Sequence, residues 1–145
     1  MKKNWLKYAL IALIPVLGYF GFDAYQTMLG QQALAATELE FHPLDKALAQ
    51  AKAEGRPVFV DFSATWCPNC RALHNQVFTD PTVKDAITKG FVVSRVDYES
   101  PEAPAFMEKY DVSGFPVLLV LDGDGKLMRR LDVTLDPKQF VQQLL

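Results

Sequence analysis

The chain has 145 residues, half of them apolar and 22% charged, which fits one globular domain and excludes a disordered or collagen-like chain. A net charge of −2 gives no electrostatic basis for nucleic-acid binding. Two cysteines and two histidines are too few for an all-protein Cys/His zinc cage, unless carboxylates or a second chain complete it.

Lys2, Lys3 and Lys7 precede an uncharged, almost wholly apolar run, YALIALIPVLGYFGF, from Tyr8 to Phe22. A basic flank ahead of an apolar run sends a chain to a membrane with its start held in the cytoplasm. One reading is a cleaved signal peptide, for which ALAA at 33–36 supplies the small residues of a cleavage site near residue 35. Ala33 stands eleven residues beyond Phe22, a long reach for such a site. The other reading is an uncleaved anchor. A run of about fifteen residues spans only about 22 Å, short of a roughly 30 Å hydrocarbon core. Counting residues 5–29 closes the gap, with Lys7 reaching back to the interface and Trp5, Tyr8, Tyr19 and Tyr25 as interfacial aromatics. Both readings make residues 1–36 a targeting segment with its linker, and both carry residues 37–145 into the periplasm as one domain. A buried core helix is the plain alternative, and the lysines at the extreme start argue against it.

From Thr37 the periodicity changes. Leu39 and Phe41 alternate with Glu38 and Glu40, the pattern of a short half-buried strand. Leu44, Ala47, Leu48 and Ala51 recur at helical spacing until Gly55 and Pro57. PVFVDF at 57–62 is an apolar run broken only by Asp61, as expected of a strand covered on both faces. Residues 67–77 read as helix. Thr79-Asp80-Pro81 caps another over 81–88. FVVSRVD at 91–97 is a second buried strand, and 102–110 a short helix. PVLLVLD at 116–122 and KLMRRLD at 126–132 form a hairpin around Gly123-Asp124-Gly125. Asp136-Pro137 opens a last helix with Phe140, Val141, Leu144 and Leu145 on one face. The order β-α-β-α-β-α-β-β-α predicts an α/β fold: a mixed sheet with helices on both faces.

Trp66-Cys67-Pro68-Asn69-Cys70 follows a buried strand and opens a helix. The unpaired N–H groups of a first helical turn then aim at Cys67 and stabilise a thiolate there. A free cysteine titrates near about 8.5, and one at such a site falls to about 3.5–7.5. Cys67 is therefore expected as an exposed, attacking sulfur. Cys70, one turn deeper, reaches Cys67 but not solvent. Pro68 stiffens the turn at no cost in hydrogen bonds. A structural staple is the plain alternative, but a four-residue loop yields only about 2 kcal/mol of chain-entropy stabilisation. Haem attachment would need histidine after Cys70, where Arg71 stands. His74, four residues past Cys70, suggests a different function, a copper(I) delivery module held by Cys67, Cys70 and His74. A histidine at that place is more often a solvated helix residue.

Together these residues resemble the thioredoxin superfamily. The likeness is greatest to the C-terminal, thioredoxin-like domain of the thiol:disulfide interchange proteins. It runs over about residues 40–145 and rests on DKALAQAKAEGRPVFVDFSATWCPNC, VFTDPTVKDAI and YDVSGFPVLLVLDGDGK. The resemblance implies that Cys67 is the nucleophile and Cys70 the resolving cysteine. Asp61 then stands where many relatives bury an acid behind the second cysteine. Burial disfavours a carboxylate's charge, so an acid there can exchange a proton with Cys70. Pro116 matches the family's cis-proline loop. With Trp66 and Phe115 it would form the apolar rim on which an extended substrate chain docks.

Two positions depart from the family's usual residues. Pro68-Asn69 is not the Gly-Pro pair of thioredoxin, and Phe115 is bulkier than the usual Ile, Val or Thr. Both adjoin the reacting sulfur and would tune potential and partner choice. The uncharged Pro-Asn pair favours a reductase over a thiol oxidant. The implied partners are exported proteins with disulfides or thiols, and a separate membrane electron donor if the chain is a reductase. A Cys67–Cys70 dithiol–disulfide switch requires no organic cofactor.

Overall fold

A computed structural model describes residues 2–145, with side chains from Tyr8 onward except Leu10. The basic flank (Lys2, Lys3 and Lys7) and Trp5 therefore lie outside the described side chains. The chain opens with one long helix, α1 (Lys2–Thr37), which contains Pro15. Its large apolar residues described from Tyr8 to Met28, Leu10 not among them, are exposed, whereas Gly30, Ala33 and Thr37 are buried. Among the described residues no helix is long and apolar enough to cross a membrane.

The strand expected at Leu39 and Phe41 does not form. Backbone pairing there is one parallel bridge between His42 and Ser94, closed by the His42 N–H donating to the Val93 carbonyl at 2.9 Å. Pro43 follows, has no N–H to continue a ladder, and sits at the cap of α2 (Leu44–Glu54). The alternation marked burial correctly, since Leu39 and Phe41 still pack against the core.

The remaining elements follow the expected order. They are β1 (Val58–Ser63), α3 (Pro68–Leu73) running into a π-helical turn (His74–Phe78), α4 (Pro81–Gly90), β2 (Val92–Asp97), α5 (Ala103–Tyr110), β3 (Val117–Leu121), β4 (Leu127–Leu131) and α6 (Pro137–Leu144). Local chemistry fixes the boundaries. Gly55 ends α2 in the left-handed region, at φ 65°. Asp80 and Asp136 cap α4 and α6 by accepting first-turn N–H bonds, each ahead of a proline. In the hairpin the Asp122 carboxylate accepts from the N–H groups of Asp124 and Lys126.

The sheet order is β2-β1-β3-β4. β1 pairs parallel with β2, across the α3–α4 crossover, and antiparallel with β3. Alternation along β1 feeds two cores. Val58, Val60 and Phe62 pack with α2 and α5, while Phe59 packs with the π turn, α4 and α6. Phe59 meets Phe78 and Phe140 edge-on, with ring centroids 5.7 and 6.3 Å apart. Asp61 and Ser63 share the parity of Phe59, so they point to the face covered by α3 and its π turn.

Candidate active site

The end of β1 delivers the two cysteines. Cys67 is the N-cap of α3, with φ −74° and ψ 119°, and its Sγ accepts the Cys70 N–H at 3.1 Å. A first-turn donor is thus aimed at the Cys67 sulfur, as the strand–CxxC–helix order predicts. Cys67 and Cys70 form a disulfide with Cα atoms 5.3 Å apart.

Burial of the pair differs from the sequence reading in one respect. Cys70 is 1% exposed as expected, but Cys67 is only 4% exposed and not an open sulfur. Trp66 and Phe115 pack against the disulfide, their rings 5.4 Å apart edge to face. Phe115 also stands 4.9 Å from Tyr98, an exposed ring from the turn after β2. The Phe115–Pro116 peptide bond is cis. Trp66 and Phe115 therefore gather around the cysteines, Pro116 follows Phe115 in the chain, and Pro68 and Asn69 lie exposed within the CxxC turn.

A buried polar pair ties β1 to the helix that carries Cys70. Asp61 is fully buried and His74 2% exposed, with Nε2 of His74 2.8 Å from Oδ2 of Asp61. This corrects the expectation that His74 is a solvated helix residue. The pairing also turns its Nε2 away from metal ligation with the cysteines. Among the described residues no group of three or more His, Cys, Asp or Glu side chains is placed to hold a metal ion.

The Ser63 hydroxyl donates to the same Asp61 oxygen at 3.1 Å and accepts from Nε of Arg95 at 3.0 Å. Arg95 pairs with Asp97 at 2.6 Å, and the Thr65 hydroxyl donates to Asp97 at 2.8 Å. Partial burial alone would raise the pKa of Asp97. The Glu99 N–H, the Thr65 hydroxyl and the Arg95 guanidinium outweigh it and hold the carboxyl below its usual range.

Helix α1 forms a further wall. A Cβ on Gly30 would overlap the carbonyl oxygen of Thr65, two residues before Cys67, so only glycine permits this approach. Gln26 accepts from Arg71 of α3 at 2.6 Å, and Ala33 is buried. Sequence reasoning missed Ser63, Thr65, Arg95, Tyr98 and Gly30. Only the Cys70–His74 spacing was visible along the chain. The rest depends on strand register, where Asp61 faces Arg95 across β1 and β2, and on the docking of α1.

Residues 44–145 match the family model described as a thioredoxin-like domain. The chain is 36% identical over 131 residues to the thiol:disulfide interchange protein DsbD of Klebsiella pneumoniae, covering 87% of this chain and 21% of that protein. It thus spans about a fifth of the length of such relatives. A thioredoxin from Thermus thermophilus superposes with a TM-score of 0.66 at 31% identity, covering 73% of this chain and 84% of that one. The oxidised C-terminal domain of Neisseria meningitidis DsbD superposes with a TM-score of 0.59 at 25% identity, covering 72% and 96%. With its Cys67–Cys70 disulfide following the first strand of such a sheet, the chain belongs to the thioredoxin-like domain family.

Proposed function

We propose that the chain reduces disulfides of exported proteins while tethered to the cytoplasmic membrane, with residues 37–145 as its periplasmic redox domain. The observation that carries the redox reading is Cys67 at the cap of α3, its sulfur receiving the Cys70 N–H at 3.1 Å beside the cis Phe115–Pro116 bond. A thiolate at Cys67 attacks the partner's disulfide and forms a mixed disulfide. Cys70 then loses its proton to Asp61 and attacks the Cys67 sulfur. The Cys67–Cys70 bond forms, and the partner leaves as its reduced thiolate, which takes a proton from water. Trp66, Phe115 and Pro116 form the rim on which the partner's chain docks, and Pro68-Asn69 tunes the potential. Because Cys67 is 4% exposed, that rim must part to admit a partner sulfur.

Both cysteines of these 145 residues lie in this site. A membrane-embedded electron donor would recharge the pair. The tether reading draws on the lysine flank and on the described apolar side chains exposed on α1 from Tyr8 to Tyr25. An uncleaved anchor accords better with the fold than cleavage near residue 35. Residues 33–36 are helical, and Ala33 is packed inside.

Trapping tests the exchange step. Cys70→Ser should accumulate mixed disulfides with exported proteins, and Cys67→Ser none. Equal trapping by both would overturn the assignment of the nucleophile. Equilibration with glutathione tests direction, since a potential near that of a strong oxidant would overturn the reductase reading.

A further inference from the structure

We propose that His74 is a positioning residue of the redox site. It holds Asp61 through Oδ2, so that the free Oδ1 takes the proton that Cys70 must lose. The inference rests on the exchange chemistry proposed above and adds a residue to it. His74 follows Cys70 by one helical turn, and its N–H reaches back to the Cys70 carbonyl, so both side chains leave the helix on one face. Asp61 rises from β1 toward that same face. Its two oxygens are used unequally. Oδ2 meets both the His74 imidazole at 2.8 Å and the Ser63 hydroxyl at 3.1 Å. Oδ1 is buried without a partner, one of three such side-chain atoms among the described residues, with Arg56 Nε and Ser100 Oγ.

A buried acceptor left open is costly unless a donor comes to it. Reduction creates one, because the Cys70 sulfur becomes a buried thiol. A carboxylate only accepts, so the imidazole donates through Nε2 and fixes the plane of the carboxyl group. The neighbouring charges are already engaged. Arg95 and Asp97 of β2 pair with each other, and Arg71 is bonded to Gln26 of α1. On the other sides, β3 sets Leu118 beside Asp61, and α4 and α6 bring Val83 and Phe140 to the core against the π turn.

In the resolving step the Cys70 S–H proton passes to Oδ1. The sulfur's electron pair forms the bond to Cys67, and the Cys67–partner bond breaks with its pair on the partner sulfur. No further reactant enters.

The reduced full chain, mixed with excess dithiobis(nitrobenzoate), separates the steps. Attack by Cys67 releases a first coloured thiolate, and resolution by Cys70 releases a second. His74→Leu should leave the first release unchanged, slow the second at least about tenfold at neutral pH, and move its pH profile to higher pH. His74→Gln, which still offers an N–H to Oδ2, should recover most of the rate and report on the site even where the leucine variant fails to fold. A second phase in His74→Leu that is unchanged, or slowed equally at every pH, sinks the proposal. So does a glutamine variant as slow as the leucine one. Absence of any second release from the unsubstituted chain would instead remove the exchange reading itself.

Discussion

The two halves of α1 share one helix and meet opposite fates. From Tyr8 to Tyr25 the described large apolar side chains face outward, with Ile14 69% and Phe20 65% exposed. From Gln26 to Thr37 the helix has a face, because Gly30, Ala33 and Thr37 are buried at spacings of three and four. The first half is more apolar, yet the second is the one that docks. Small residues let the helix approach the Thr65 carbonyl, and Gln26 fixes its register through Arg71. Apolarity alone does not find a seat in a protein core, which is close-packed and demands matching shape.

Substitutions can break this contrast from either side. The largest effect is expected from Ile14→Asp with Leu17→Asp. A membrane tether makes each aspartate cost about 2.5–3.5 kcal/mol near the centre of a span. Membrane retention should be lost, while the thermal stability of the domain shifts by no more than about 0.5 kcal/mol. A marked fall in stability would show that this half packs within the protein. Gly30→Val comes next. Its side chain must displace the backbone of Thr65, at about 1–3 kcal/mol or more, and limited proteolysis should then cut within residues 26–37. Resistance equal to the unsubstituted chain would mean that the close approach is not needed.

Gln26→Ala should cost about 0.5–1.5 kcal/mol in thermal unfolding by removing one hydrogen bond to Arg71. The smallest effect concerns acid. Asp97 is held below its ordinary range in the fold, so its contribution is complete above the unfolded value near about 4 and is lost as pH falls through the folded one. The tie from Asp97 to Thr65, and with it the seat of α1, should loosen below about pH 4. Asp97→Asn should flatten that dependence, and unchanged acid sensitivity would place its cause elsewhere.

What the sequence made legible follows from local chemistry. Asp80-Pro81 and Asp136-Pro137 start helices, Gly55 ends one, and the hairpin declares itself through Gly123-Asp124-Gly125. Cys67 and Cys70 carried enough local pattern to be paired, whereas the cis bond before Pro116 was expected only from the family resemblance. The strand expected at Leu39 and Phe41 failed because alternation reports burial, and Pro43 ends the pairing after a single bridge. The His74–Asp61 pair was hidden for a different reason. Thirteen residues separate them, and only the packing of α3 on β1 brings them to 2.8 Å. The cover over Cys67 was equally invisible, since Trp66 and Phe115 meet across forty-nine positions of chain.

Helix α1 passes from its exposed half into its docked half without a break. Asp23, the first charge after the apolar run, and Gly30, against the loop that bears Cys67, are seven residues apart, or about 10 Å of helix. If the exposed half is seated in a bilayer, the disulfide rides on a stiff stalk rather than a leash. It sweeps a shallow ring at one height above the lipid. Partners must present their sulfur within that layer, and a recharging protein embedded in the same membrane would meet it in two dimensions instead of three.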